Sequence, residues 1–420
     1  MSDTSSATTA QFSAYQKTVV ALLAFLQFAV ILDFMLMSPL GAVIMPDLAI
    51  DPKQFGLVVS AYAFSAAVSG LLTAGFADRY DRKKLLLFFY SGFILGTVWC
   101  GLAQSFESLL LARIVTGLFG GVIGSVVMAI ATDLFPAQMR GRVMGYIQTA
   151  FAASQVLGIP FGLYLSNRWN WHVPFMAMAA LGVTGGLIVA WLMKPVADHL
   201  QMRQEHSPWM HLFHTVTDRR YLLAFVTTSL MATGGFMLMP FSSAFTVNNL
   251  GIALASLPTI YLVTGLAAIF VGPLVGKAAD AIGKLPVFMV GSTLTIIMVL
   301  IYTHLGVTSL AMVIAINVTM FIGIFSRMIP FQALMSTVPT VNQRGSFSAI
   351  GASVQQLSGG LAAVIAGHIV TVGADGKLQH YDMAGYVVVG TTLITVALLW
   401  YLQRDMGART EGPPIQQAAA

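Results

Sequence analysis

Two residues of opposite charge stand deep inside long apolar runs of the sequence. Asp33 comes about 15 residues into the run 18–46, and Arg113 lies within the run 108–134. In a helix that rises 1.5 Å per residue, Asp33 would lie about 22 Å along the axis, near the centre of a bilayer. A charge at that depth costs about 2.5 to 3.5 kcal/mol on insertion scales, so Asp33 is expected to face a cavity or a partner.

The chemistry open to such a pair is reversible proton binding. Burial disfavours a charged carboxylate, whereas a nearby guanidinium favours it. A small change in hydration or pairing between two conformations could therefore load and unload a proton on Asp33. The alternative is a permanent ion pair between Asp33 and Arg113 that only locks the first and fourth spans together.

Other polar residues on apolar helices are candidates for a substrate cavity. Arg327, in the text GIFSRMIPFQALM, is a second charge that could hold an anionic group or pair with a helix end. Asn317 lies 204 positions after Arg113 and would be its uncharged counterpart. The remaining candidates are Gln27, Tyr62, Gln148, Gln155, Gln332, Gln355 and Gln356. Gln148 and Gln155 are seven apart and share a helical face, although a helix–helix hydrogen bond is the alternative role for each.

The elements that must position these residues are membrane-spanning helices. The chain is 57% hydrophobic and only 9% charged, which excludes an ordinary soluble domain. Apolar runs long enough to cross about 30 Å of hydrocarbon as helices recur from end to end. The sequence predicts an all-α membrane protein with twelve spans, at 18–46, 55–77, 85–104, 108–134, 143–166, 173–193, 221–247, 258–281, 286–304, 307–335, 347–371 and 383–403.

The basic residues predict the orientation of these spans. With an even number of spans both termini lie on one side, and the loops of that side hold 16 of the 21 Lys and Arg residues. The positive-inside rule makes that side cytoplasmic. We therefore expect an inner (plasma) membrane protein with cytoplasmic tails at 1–17 and 404–420 and a cytoplasmic linker at 194–220. The basic excess is then an orientation signal, and a nucleic-acid partner is not expected.

The two halves of the chain carry matching text at a nearly constant offset. FMLM at 34–37 recurs at 236–239, Asp78 precedes Asp280 by 202 positions, and Arg140-Gly141 precedes Arg344-Gly345 by 204. Matches at the same topological points indicate a duplication, with bundles at 18–193 and 221–403. Two parallel six-helix repeats related by an axis along the membrane normal place a substrate cavity between them.

Charged loops near one membrane face could form a latch. AGFADRYDRKKLL at 74–86 contains Asp78, Arg79, Arg82 and Lys83, and the second half carries a partial copy with Asp280 and Lys284. An aspartate at a helix end can accept hydrogen bonds from a neighbouring helix N-terminus, while the arginines pair with a carboxylate such as Asp133. We predict a cytoplasmic gate here, with simple topology anchors as the alternative.

Small residues and a proline mark close helix contacts in the first half. LLLARIVTGLFGGVIG from 109 places Gly117 and Gly120 on the same stripe as Arg113, and Gly158, Pro160 and Gly162 interrupt the fifth span. Glycines allow helices to approach closely, and the proline softens its helix. A purely structural role is equally open for the second set.

These motifs together resemble the major facilitator superfamily, and more narrowly its twelve-span proton-coupled drug and sugar efflux branch, with arabinose-efflux-permease-like text. The loop at 74–86 departs from the family pattern at Ala74 and Asp81, where glycines are usual, and His172 replaces the usual arginine after Trp171. The resemblance implies two pseudo-symmetric six-helix bundles that move a small solute by alternating access.

The resemblance and the buried pair together lead to a specific expectation. We expect an antiporter that exports a small amphiphilic or hydrophobic solute, with Asp33 and Arg113 coupling export to protons, the proton as the coupling ion and no other cofactor. Uptake by proton symport, export of a sugar or lysolipid-like molecule, and a non-transporting membrane sensor remain alternatives. No enzyme motif and no metal-ligand spacing is present, so neither an enzyme nor a metal site is expected. The expected partners are the solute and the lipid bilayer, and the protein is expected to function as a monomer.

Overall fold

The computed structural model describes residues 12–74, 76–197, 200, 218–340 and 343–410, without the side chains at 74, 78, 137, 219, 220, 344 and 405–410. Within that part, twelve helices are long and apolar enough to cross a membrane. This confirms the predicted all-α membrane architecture with twelve spans. Large apolar side chains such as Leu187 and Trp191 are exposed on the outer surface, where hydrocarbon would cover them.

The helices of the first half form spans one to six. They are α1 (Ala14–Leu36), α2 (Gly41–Asp47), α3 (Pro52–Ala74), α4 (Arg82–Leu102), α5 (Phe106–Leu134), α6 (Ala137–Ala153), α7 (Ile159–Arg168) and α8 (His172–Leu192). Spans one to four are α1, α3, α4 and α5, and span six is α8. Span five consists of α6 and α7 joined by a π-helical turn at Ser154–Gly158.

The second half repeats this order as spans seven to twelve. Its helices are α9 (Arg219–Phe236), α10 (Ser242–Asn248), α11 (Leu257–Ile282), α12 (Lys284–Thr303), α13 (Leu310–Met335), α14 (Arg344–Ile369) and α15 (Tyr381–Thr410). Span seven contains α9 and α10, and spans eight to twelve are α11 to α15. A small antiparallel hairpin, β1 (Thr371–Val372) with β2 (Leu378–Gln379), joins the last two spans.

The first span is shorter than the sequence predicts. The helix ends at Leu36 rather than near 46, and the chain turns before starting the short helix Gly41–Asp47. Pro39 lies in this turn, where it lacks an N–H and restricts the residue before it. The second half breaks at the matching place, beside Pro240, and continues in a helix of the same seven-residue length, Ser242–Asn248.

The two halves pack together along two seams. Span two lies along span eleven, and span five lies against span eight. Phe34 of span one and Phe236 of span seven, the first residues of the two FMLM repeats, also meet, with ring centroids 5.8 Å apart. Equivalent residues of two repeats can touch only near the axis that relates them, so this contact marks the axis.

One end of the molecule is closed by apolar packing between the halves. We call it the far end, and it holds the short helices Gly41–Asp47 and Ser242–Asn248. A single cluster there contains Leu40 and Phe55 of the first half with Phe241 and Phe245 of the second. The hydroxyl of Ser243 donates to the carbonyl of Ser38 across the seam at 3.1 Å.

The opposite end is the basic end, where Arg82, Lys83 and Lys194 lie. The apolar clusters near it belong to separate halves, except that Leu71 of span two packs against the second-half cluster. The halves therefore share one apolar cluster at the far end, whereas toward the basic end their apolar clusters are separate and span two contacts span eleven, where Ser353 donates to the carbonyl of Ala67.

The predicted boundaries of the tails and the linker stay predictions. Positions 1–11, 198–199, 201–217 and 411–420 lie outside the described residues. The helical backbone of α15 continues to Thr410, so the first part of the predicted tail at 404–420 extends the last span.

Candidate functional site

A fully buried ion pair lies in the core of the first half. Nη1 of Arg113 donates to Oδ2 of Asp33 at 2.7 Å, and both residues have 0% exposed surface. The hydroxyl of Thr97 donates to the other carboxylate oxygen at 3.2 Å. The guanidinium also lies over the ring of Tyr62, with 4.7 Å between Cζ and the ring centroid. The partner that the sequence predicts for Asp33 is thus in place.

Close helix contacts hold Tyr62 beside this pair. A Cβ atom on Gly117 would lie 2.0 Å from Oγ of Ser65 and 2.4 Å from the carbonyl of Tyr62, so only glycine fits there without movement. Gly120 is similarly close to the hydroxyl of Tyr62. The glycines therefore press span four against span two and hold Tyr62 over Arg113.

A cavity of about 540 Å³ lies between the two halves. Its wall is mainly apolar and aromatic, which suits a drug-sized organic solute. Seven of the predicted cavity residues line it, namely Gln27, Tyr62, Gln155, Asn317, Arg327, Gln355 and Gln356. The structure adds three tyrosines that sequence reasoning missed, Tyr261, Tyr302 and Tyr381. Because buried tyrosines are also ordinary core residues, the sequence carries no signal that singles them out.

Gln148 and Gln332 lie outside this cavity and are exposed, contrary to the prediction. Gln148 does lie seven residues from Gln155, but seven residues extend about 10 Å along a helix, so it sits much nearer the basic end. Gln332 follows Arg327 by five residues, which turns it about 140° around the helix and away from the cavity.

Asp33 itself does not line the cavity. The cavity face of span one is the stripe of Gln27, Val30, Ile31, Phe34, Met35 and Ser38. Asp33 points about 100° away from its neighbour Phe34, into the first bundle. Of the two environments expected for this carboxylate, a cavity or a partner, the structure shows the partner. Tyr62 is the side chain that touches both regions, because it lines the cavity and covers Arg113.

Arg327 occupies a different environment in the second half. It lines the cavity, is 3% exposed, and lies over the ring of Phe288 with 5.9 Å between Cζ and the centroid. Among the described residues, its Nε and Nη2 atoms have no hydrogen-bond partner. Asn317, the counterpart of Arg113, also faces the cavity and donates to the carbonyl of Val313.

Three of the predicted gate residues, Arg82, Lys83 and Asp133, make contacts at the basic end within the described part of the chain. Nε of Arg82 contacts Oδ2 of Asp133 at 3.2 Å, and Nζ of Lys83 donates to the carbonyl of Ala190. Both contacts stay within the first half. Arg79 and Asp280 are exposed, Lys284 is half-buried, and the side chain of Asp78 lies outside the described part. The contacts of Arg82 and Lys83 hold spans three, four and six together, and a gating role stays a prediction.

Asp81 lies in the same loop as the predicted gate residues but was not predicted to have a function. Its carboxylate accepts from the backbone N–H groups of Lys83 and Lys84 and so caps the start of span three. An aspartate directly before the first residues of an apolar run is a typical N-cap, so the sequence did hold this signal. The cap fixes where the basic residues of the loop project.

The irregular part of span five is a close contact with span one. A Cβ on Gly158 or Gly162 would come within 3 Å of the side chains of Leu32 or Leu36. Pro160 is the second residue of α7, just after the π-helical turn. It has no N–H group to donate to the carbonyl four residues earlier, which favours an irregular helix at this place. The turn also brings Gln155 into the cavity wall, and π-helical turns are frequent at functional sites.

Comparison with known proteins fits this architecture. A family model described as Major Facilitator Superfamily matches residues 23–363, which is well over half of the chain. The chain belongs to the Major Facilitator Superfamily. As a member of this superfamily it is a multi-pass membrane transporter and not an enzyme. The narrower assignment to the drug and sugar efflux branch stays a prediction.

Individual relatives in the superfamily are distant. The chain is 28% identical to the uncharacterized MFS-type transporter YceJ of Bacillus subtilis over 62% of this chain and 67% of YceJ. It is 29% identical to the multidrug resistance protein fnx1 of Schizosaccharomyces pombe, over 32% of this chain and only 25% of fnx1. A bacterial homolog of the human lysosomal transporter Spinster shares the fold, with a TM-score of 0.73, 17% identity, and coverage of 94% and 98% of the two chains.

Proposed function

We propose that this protein exports a small, largely apolar solute in exchange for protons by alternating access. The observation that carries the proposal is the combination of a cavity between two halves, closed at the far end, with a buried carboxylate–guanidinium pair one side chain away. The cavity supplies a place for the solute, and the pair supplies a group able to bind a proton.

The orientation follows from the distribution of charge. The basic end carries most of the Lys and Arg residues, so we place it and both termini on the cytoplasmic side of the inner membrane. The far end, sealed by Phe55, Phe241 and their neighbours, then faces outward. In this assignment the structure represents an inward-facing state, ready to take a solute from the cytoplasm. Rocking of the halves about the axis marked by Phe34 and Phe236 would open the other end.

Coupling requires that the buried pair becomes accessible in only part of this cycle. In the inward-facing state Tyr62 covers Arg113, and Asp33 is out of contact with the cavity. We propose that the movement of span two against span four lifts Tyr62, lets a proton from the outside reach Asp33, and weakens the pair. On return to the inward-facing state the proton leaves Asp33 through the cavity to the inside before Tyr62 settles over Arg113, and the restored pair readies the cavity for solute.

Export as the direction is supported by relatives. Fnx1 and a second relative, multidrug resistance protein 3 of Bacillus subtilis, carry names that describe drug resistance. The second is 27% identical over 37% of this chain and 30% of its own length. These matches favour efflux as the direction of transport.

Reconstitution tests the proposal. Purified protein is placed in liposomes that contain a pH-sensitive dye, and solute is added on one side. Proton flow opposite to solute flow is the expected result, and proton flow in the same direction would replace antiport with symport. Solute counterflow without a pH gradient separates transport from sensing, because a sensor binds solute but does not exchange it.

A further inference from the structure

Arg327 is the one charged side chain among the described residues that line the cavity. The two charges of the first half neutralise each other behind Tyr62, and neither Asp33 nor any other carboxylate is part of the described cavity wall. The space offered to a solute therefore carries a single positive charge. A cationic solute would meet repulsion in this low-dielectric space, whereas an anionic solute would be attracted.

Two nitrogen atoms of the Arg327 guanidinium could each donate a further hydrogen bond. Its Nε and Nη2 atoms are buried and have no hydrogen-bond partner in the described part of the chain. The aromatic face of Phe288 lies beneath it but accepts no conventional hydrogen bond. Because an unsatisfied buried donor is unfavourable, and a guanidinium cannot lose its proton to escape the penalty, these atoms suit an incoming acceptor.

A glycine of the cavity wall lies beside one of these donors. Gly234 of span seven lines the cavity, and a Cβ there would lie within 4.0 Å of Nη2 of Arg327 and of the hydroxyl oxygens of Thr391 and Thr392. The Thr392 hydroxyl is likewise buried and has no hydrogen-bond partner within the described part of the chain, although Thr392 is not part of the cavity wall. Nη2 of Arg327 and this hydroxyl thus both lie within 4.0 Å of one point beside Gly234, where an oxyanion could accept from both.

The rest of the cavity suits an apolar body. The apolar wall includes Met231, Phe236, Ile324, Phe325 and Met328. Methionines adapt to varied shapes, and aromatic rings provide large apolar area. Neutral polar groups such as Asn317 and Gln355 add hydrogen-bonding capacity without charge.

We propose that the solute is an amphipathic anion, with one negatively charged oxyanion group held by Arg327 and a compact apolar body in the cavity. The proposal rests on the proposed function in that this cavity is taken to be the transport site. It sets the substrate class against the organic cations that a transporter with a carboxylate in its cavity would favour.

The test uses four probes that share one ring system. They are 2-naphthoate, 2-naphthyl phosphate, the neutral 2-naphthamide and the 2-naphthyltrimethylammonium cation, and binding is measured to the full-length protein in lipid nanodiscs. At least one of the two anions should bind roughly tenfold more tightly than the amide, as expected for charge-assisted hydrogen bonds in a buried site, and the cation should bind least well. Comparing carboxylate with phosphate identifies the preferred head group.

Variants locate the effect. Arg327→Gln should reduce binding of the favoured anion to the level of the amide and leave amide binding unchanged, which also shows that the cavity is intact. Arg168→Gln is the matched control, because it removes the same charge from an exposed position at the far end and should keep the anion preference.

Several results would overturn the proposal. In the unaltered protein they are equal or absent binding of all four probes, or preference for the cation. In Arg327→Gln they are an anion preference that survives or a loss of amide binding, and in Arg168→Gln the result is a loss of the anion preference. Binding needs no proton gradient. Gradient-driven transport without anion preference would contradict this inference alone. Anion binding without coupled transport would contradict only the proposed function.

Discussion

Arg113 in the first half and Arg327 in the second are both buried in the middle of a span, and they differ in what lies against the guanidinium. Arg113 has a carboxylate at 2.7 Å, a tyrosine ring over its face and no exposed surface, and only its Nε lacks a hydrogen-bond partner among the described residues. Arg327 has a phenylalanine ring beneath it, unpartnered nitrogen atoms and a cavity in front. One duplicated scaffold therefore holds a closed charge pair in one half and an open charge in the other.

The difference suggests a division of labour. A closed pair can change protonation and so respond to a proton gradient, whereas an open guanidinium can respond to a solute. If the two halves are specialised in this way, then substitutions at the two arginines should have different consequences for stability.

The largest expected effect is the loss of stability in Asp33→Asn. It leaves Arg113 buried without its carboxylate, and breaking a buried pair in this way costs about 3–5 kcal/mol. Arg113→Met should cost less, because the remaining Asp33 can bind a proton and become neutral while a guanidinium cannot lose one. Thermal unfolding in one detergent measures both. Equal losses, or a smaller loss for Asp33→Asn, would contradict a charged, paired Arg113.

The next effect concerns the packing of span four against span two, which holds Tyr62 over Arg113. Gly117→Ala places a Cβ against Ser65 and the backbone of Tyr62, and overpacking of this kind costs about 1–3 kcal/mol. Gly390→Ala in span twelve is the control, since a Cβ there meets nothing within 4 Å. Gly117→Ala should therefore unfold at a lower temperature than Gly390→Ala. A Gly117→Ala protein as stable as the control would mean that spans two and four are not pressed together.

Access to the buried pair can be followed through the single cysteine of the chain. Cys100 is fully buried, and its thiol lies next to Arg113. Tyr62→Ala removes the ring that separates this region from the cavity and should speed labelling of Cys100 by a membrane-permeant maleimide roughly tenfold. The Tyr62→Phe variant keeps the ring and should label at the original rate. Unchanged labelling of Tyr62→Ala would show that Tyr62 does not control access.

The smallest stability effect is expected at Arg327. Arg327→Met removes an unpaired buried charge and keeps a long apolar side chain, so the free energy of unfolding should change by less than about 1 kcal/mol or even increase. Thermal unfolding beside Asp33→Asn provides the comparison. A loss as large as that of Asp33→Asn would mean that Arg327 has a structural partner and that the two halves do not differ in the way described.

Much of this architecture was predictable because hydropathy reports depth. Runs of apolar residues gave the twelve spans, and the repeated FMLM text indicated the duplication that places Phe34 beside Phe236. The Asp33–Arg113 contact was expected because a lone charge in hydrocarbon requires a partner. The early end of the first span at Leu36 was missed, although Pro39 carried the signal.

Direction around a helix was much harder to predict than depth. A span that is apolar on all sides gives little indication of which face meets a cavity, so the sequence left open whether Asp33 faces the cavity or a partner, and the structure shows that it points into its own bundle. The same limitation placed Gln148 and Gln332 in the cavity wall incorrectly. Periodicity also fails where the helix is irregular, as at the π-helical turn before Pro160.

The central claim is that Asp33 binds and releases the proton that drives transport. It is tested most directly by solute movement in proteoliposomes under an imposed pH gradient, in the unaltered protein and in Asp33→Asn. Asp33→Asn/Arg113→Gln is a second variant, which removes both charges of the pair. The unaltered protein should drive solute against its concentration gradient. At least one variant should still exchange solute in counterflow but no longer respond to the pH gradient. Gradient-driven accumulation that continues undiminished in either variant would contradict the account.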